Sequence, residues 1–106
     1  MPLGAPIARW RRMGFRITRD DSAEDRILLH VEGDLLGKET ARVLGDEIRG
    51  AVERGRRVIV DLRDVAWYGD ACLAILGDQP AAVALTGGGA LLATLLEQHR
   101  AALGRS

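Results

Sequence analysis

The chain reads as one α/β domain, a sandwich built on a mixed β-sheet with helices mainly on one face. Three observations carry that prediction. Two early segments, 13–18 and 27–32, alternate apolar and polar residues with the period of a half-buried strand. Segment 38–54 then changes to apolar steps of three and four, the spacing of a helix face. Val58-Ile59-Val60 is a continuous β-branched run, as expected of a strand covered on both faces. A length of 106 residues suits a single domain.

The elements follow in order. Residues 1–12 hold Pro2 and Pro6, two of the three prolines, and read as a flexible leader ahead of a domain at 13–106. Met13, Phe15 and Ile17 alternate with Gly14, Arg16 and Thr18 and predict a first strand. Asp20–Asp25 is a polar turn. Ile27, Leu29 and Val31 then mark a second strand, antiparallel to the first. Gly33-Asp34-Leu35-Leu36-Gly37 breaks the alternation. The helix over 38–54 buries Ala41, Leu44, Ile48 and Val52 and turns Glu39, Arg42, Asp46, Glu47, Arg49 and Glu53 to solvent, with Gly55 as its stop. Gly45 and Gly50 inside it each cost about 1 kcal/mol against alanine. Close packing against the sheet would account for them.

The strand at Val58–Val60 is expected to end at Asp61, followed by a short loop. Asp70 is placed to cap a brief helix starting near Ala71, which carries Leu73, Ile75 and Leu76 and stops at Gly77 and Pro80. Ala82–Leu85 is a short apolar strand and Thr86–Gly89 a flexible junction. A last helix over 90–103 carries Leu92, Leu95, Leu96, His99 and Leu103 on one stripe. The order is β-β-α-β-α-β-α. Its βαβ units require parallel pairing with right-handed crossovers.

Composition narrows the function. An apolar fraction of 47% supplies a core, and aromatics at 4% leave aliphatic residues to fill it. Fifteen basic residues balance fifteen acidic ones, which argues against a nucleic-acid partner. Arg9, Arg11, Arg12, Arg16 and Arg19 form a locally basic stretch that Asp20, Asp21, Glu24 and Asp25 offset at once. It reads as a solvated charged segment, with a phosphate or acidic-membrane contact at Trp10-Arg11-Arg12 as the other reading. Cys72 is the only cysteine, which suits a reducing compartment. The first residues lack a basic n-region, and no apolar window nears the roughly 18 residues of a membrane span. A cytoplasmic protein without direct membrane insertion is expected.

Three stretches carry a resemblance to a known family. They are Leu29-His-Val-Glu-Gly33-Asp-Leu35, the amphipathic helix ending at Glu53-Arg-Gly55, and Val58-Ile-Val-Asp61-Leu-Arg-Asp-Val65 with the loop after it. Together they span about residues 27–76, roughly half the chain, and resemble the STAS domain, the anti-sigma-factor antagonist fold. The resemblance implies a non-catalytic module of transcriptional signalling. Its partner would be an anti-sigma factor that is also a kinase, and docking would free a sigma factor. In that family a loop reading Asp-Ser-Ser/Thr-Gly-Leu carries a serine that the partner phosphorylates. The hydroxyl lies at a helix N-terminus, where free N–H groups and the helix dipole favour added negative charge.

This chain departs from the pattern. Without gaps, Gly69 falls on the family aspartate, Asp70 on the serine, Ala71 on the second hydroxyl, Cys72 on the glycine and Leu73 on the leucine. A one-residue slide puts Asp70 on the aspartate and Ala71 on the serine. Neither register supplies a hydroxyl, and no serine or threonine occurs from Ala41 to Leu85. Asp70 is then the equivalent of the phospho-acceptor, either a fixed carboxylate standing in for a removable phosphate or an ordinary helix cap. The expected partner-binding surface is Trp67, Tyr68, Gly69, Asp70, Ala71 and Cys72. The helix after it is shorter than usual for the family. A stand-alone subunit of an ABC-type lipid transporter, bound to its ATPase, therefore fits about as well.

Other constellations lead less far. Cys72 near a helix start is either a reactive thiol or a small core residue. Asp61, Asp64 and Asp70 form either a Mg²⁺ and phosphate site or, at Asp61, a cap for loop N–H groups. His30 and His99 lack metal-ligand spacing, and Thr86–Gly89 lacks the lysine of a P-loop. Trp67-Tyr68 forms either an exposed apolar contact or packing over the sheet end. No acid, base and nucleophile set converges, so neither an enzyme nor a cofactor is expected. A homodimer, or a small-ligand or nucleotide sensor using Asp61, Asp70 and the glycine turn at Thr86–Gly89, completes the alternatives.

Overall fold

The computed structural model describes residues 7–12 and 14–104. A five-stranded mixed sheet runs in the order β1-β2-β3-β4-β5. Its elements are β1 (Ile7–Arg12), β2 (Phe15–Asp20), β3 (Arg26–Leu35), α1 (Gly37–Val52), β4 (Arg57–Tyr68), α2 (Asp70–Gly77), β5 (Val83–Thr86) and α3 (Gly89–Gly104). The first two connections pair antiparallel, and β3, β4 and β5 run parallel through the helical crossovers. This is the single-domain α/β sandwich with a mixed sheet that the periodicities predict.

The period-two pattern sorts side chains as expected. Phe15, Ile17, Ile27, Leu29, Val31, Val58 and Val60 are buried, and Leu44, Ile48, Leu73 and Leu76 cover them from α1 and α2. Arg16, Thr18, Leu28, His30, Glu32, Asp61 and Arg63 line a depression on the opposite face, to which no helix contributes. The helices thus lie mainly on one side, and the other side of the sheet is open and charged.

Three segments differ from the reading of the sequence. Ile7–Arg12, within the expected leader, form an edge strand antiparallel to β2, with a register shift between Ala8 and Trp10. The hydrogen-bonding edge of β2 supplies that structure, and no local apolar alternation announces it. Residues 1–6, Met13 at the expected strand start and the side chain of Leu103 lie outside the described residues.

Strand β3 does not stop at Gly33 but runs through it to Leu35. Gly33 has φ +95°, and a Cβ there would stand 1.8 Å from the Gly14 carbonyl oxygen. The Asp34 N–H donates to that same carbonyl at 3.0 Å. The glycine therefore lets two strands approach, rather than ending one.

Strand β4 does not end at Asp61 but continues to Tyr68, so the expected loop after Asp61 is ladder. Glu32 pairs with Asp64, Gly33 with Val65, Asp34 with Trp67 and Leu35 with Tyr68, with two register shifts on the way. Each shift breaks the period of two, so the sequence pattern fails where the strand persists. The helix glycines divide as well. A Cβ on Gly45 would meet Ile75 of α2 at 3.4 Å, so its close packing is against a helix, not the sheet. Gly50 has nothing within 4 Å.

Candidate docking surface at the end of β4

The long β4 carries the chain past β5 and delivers Trp67 to the rim of the molecule. Alternation splits the pair there. Trp67 is 62% exposed, whereas Tyr68 is buried, its hydroxyl donating to the Leu62 carbonyl at 3.5 Å. Burial pushes the Tyr68 phenol above its ordinary value. The chain then turns on Gly69, whose N–H donates to the Leu35 carbonyl at 2.7 Å. A Cβ at Gly69 would approach that oxygen to 3.0 Å, so a small residue suits the tight strand-to-helix turn.

Gly69, not Asp70, is the N-cap of α2, and no side chain caps this end. Asp70 is the first helical residue and is exposed. Its carboxylate lies in the first turn, where the helix dipole favours negative charge by about 0.3–1 kcal/mol. Ala71 is half-buried, and Cys72 is fully buried in the core. Burial pushes the Cys72 thiol up to about 11, the environment of an inert core thiol. Of the six residues expected to meet a partner, Trp67 and Asp70 face outward and Gly69 and Ala71 are partly accessible. Tyr68 and Cys72 support the turn from inside.

Helix α3 adds what the sequence reading missed. Leu91, 58% exposed, and Leu95 stand beside Ala66, Trp67 and Tyr68 and close an apolar groove of about 100 Å³. Leu91 falls off the stripe of the last helix, and only the packing of α3 against the strand end brings it there. On the other flank, Asp70 and Leu73 border a hollow with Leu95, Gln98 and His99. The His99 Nε2 is buried and has no hydrogen-bond partner among the described residues.

A second cluster occupies the open face of the sheet. The parallel register sets His30 beside Asp61. The His30 ring meets the Asp61 carboxylate through Nδ1 at 3.2 Å and the Asp64 carboxylate through Nε2 at 2.9 Å. A protonated ring donates to both, a neutral ring to one. Asp61 Oδ1 accepts the Arg63 N–H at 3.1 Å, and the Arg63 Nε stands 3.1 Å from Oδ2. Burial pushes the Asp61 carboxyl up. The Arg63 N–H, His30 and the Arg63 guanidinium together outweigh it and hold the group below its ordinary value. Asp61 thus does cap a backbone N–H. Asp70 lies with α3 instead, away from this pair. No group of three His, Cys, Asp or Glu side chains among the described residues has the arrangement to hold a metal ion.

Gly87, with φ +78°, lies where a Cβ would stand 2.7 Å from the Arg63 nitrogen, so the glycine junction packs on β4. No helix among the described residues is long and apolar enough to cross a membrane. No family model matches the chain, and no curated protein matches its sequence.

Proposed function

We propose that this chain is a non-catalytic, STAS-type protein-interaction module of the cytoplasm that docks on an anti-sigma factor or its kinase. The observation that carries the reading is the exposed Trp67 and Asp70 on the strand-to-helix turn, which the resemblance sets against the family's phosphorylated loop. A large apolar side chain with a charge beside it is a common anchor in protein interfaces. The absence of serine and threonine from Ala41 to Leu85 means that the turn cannot be switched by phosphorylation at a hydroxyl of that kind. Tyr68 is buried and hydrogen-bonded. Docking is then constitutive, and control comes from abundance, localisation or modification of the partner.

Asp70 offers one carboxylate where a phosphate would bring about −1.5 to −2 charges and three acceptor oxygens. It is therefore a weak stand-in at most. The test is affinity capture from the native host with wild type and Asp70→Lys, with the captured proteins identified by mass spectrometry. An anti-sigma kinase held by the wild type and lost from the variant is the expected outcome. Recovery of a transporter ATPase would move the module to lipid traffic, and recovery of neither from either protein would overturn the docking reading.

A further inference from the structure

Strand β4 is paired unequally on its two sides. Its ladder with β5 ends at Asp61 and Thr86, while its ladder with β3 continues to Leu35 and Tyr68. Two of the chain's own side chains serve the first positions that β5 leaves. The Asp61 carboxylate accepts the Arg63 N–H, and the Tyr68 hydroxyl donates to the Leu62 carbonyl. From Asp64 to Tyr68 the strand has a strand neighbour only on the β3 side among the described residues. An open edge of this kind is a template for one more strand.

The surroundings say what that strand carries. The groove lined by Ala66, Trp67, Tyr68, Leu91 and Leu95 flanks the open edge and has room for one aliphatic side chain. Asp64 and Asp70 flank it in sequence and are exposed, with the Asp64 carboxylate held by His30 at 2.9 Å and the Arg63 guanidinium by Asp61. A segment with a basic flank complements the exposed Asp70 carboxylate. A second copy paired antiparallel would set Asp64 of each copy near Asp70 of the other, and like charges opposite one another are unfavourable.

We propose that the open edge of β4 at Asp64–Tyr68 takes an extended segment of the partner protein as an added strand, with a basic flank toward Asp70 and one apolar side chain in the groove beside Leu91. This rests on the docking reading for the partner being a protein.

The test uses the full chain and a designed probe, acetyl-Lys-Val-Thr-Val-Lys-amide, followed by backbone amide shifts. Its control carries N-methyl groups on all five residues, so that neither edge of the peptide has a residue N–H to give to a ladder. The expected result is a saturable shift at Val65–Tyr68, weakened about tenfold or more by N-methylation and by Leu91→Lys. Ala66 is skipped in the register between Val65 and Trp67. Ala66→Pro is expected to weaken the probe too, with the β3 amide shifts reporting whether the β3 pairing is kept. Three results would overturn the proposal: no saturable shift, equal shifts from both peptides, or shifts at the same amides that depend on protein concentration without peptide. The last would assign the edge to a second copy. The probe needs no native partner, so its failure is distinct from the outcome of the Asp70→Lys capture.

Discussion

Asp61 shows how one buried carboxylate ties the open face together. It accepts from its own strand at Arg63 and from His30 on the neighbouring strand. Its folded value lies below the ordinary 3.8, so the group binds protons less readily folded than unfolded. Its contribution is therefore present above about pH 4 and is lost as the pH falls through the folded value. Asp61→Asn is expected to cost about 1–2 kcal/mol near neutrality and to flatten the acid side of the stability profile. Urea unfolding at pH 7, 4 and 3 measures both. An unchanged slope between pH 4 and 3 would remove Asp61 from the acid response. Cys72 carries the opposite shift. With its thiol pushed up to about 11, it is expected to react with a disulfide reagent at pH 8 only after unfolding. Rapid labelling of the native chain would contradict its burial. Part of this was legible, since the sequence offered Asp61 as a cap for N–H groups and Cys72 as a small core residue. His30, 31 positions from Asp61, met it only through the parallel register.

The elements divide by how local their cause is. Helix α1 was legible because its apolar steps and Gly55 lie within one segment, and it forms at Gly37–Val52. Its two glycines make opposite predictions. Gly50 is exposed with open space around it, so Gly50→Ala is expected to stabilise by about 0.5–1 kcal/mol through helix propensity. That corresponds to a rise of roughly 2–8 °C in Tm for a domain of this size. Gly33→Ala would force a Cβ into the Gly14 carbonyl at a positive φ, and is expected to cost several times as much or prevent folding. Thermal melts of the two variants, run together, check both signs. Strand β4 was legible only to Asp61 because its later half is held by β3 across two register shifts. Edge strand β1 likewise depends on β2 rather than on its own pattern.

The whole molecule places its core between the sheet and the pair α1–α2, with α3 at the margin. Leu44 is fully buried under the sheet, while Leu92 is the only buried side chain among those described in α3. Leu44→Ala is expected to cost about 2–5 kcal/mol and to lower one cooperative transition seen equally by circular dichroism and fluorescence. In the same protein the α3 amides should exchange ahead of those in α1, since fewer buried apolar contacts hold them. Equal protection in both helices would place α3 inside the cooperative core. This marginal position is also what leaves Leu91 and Leu95 open beside Trp67.

By itself the sequence determined the α/β class, the helix over α1, the buried strand starts and the lack of a hydroxyl in the turn after β4. Each of these depends on residue type and spacing within a dozen positions, where sterics, hydrophobic period and composition act locally. Tertiary structure alone decided the length of β4, the strand made from Ile7–Arg12, the union of His30 with Asp61 and Asp64, and the outward face shared by Trp67 and Leu91. Those features arise where one strand lends its hydrogen bonds to another, or where a helix packs on a distant strand end. Such partners are set by register and topology, which no local pattern encodes.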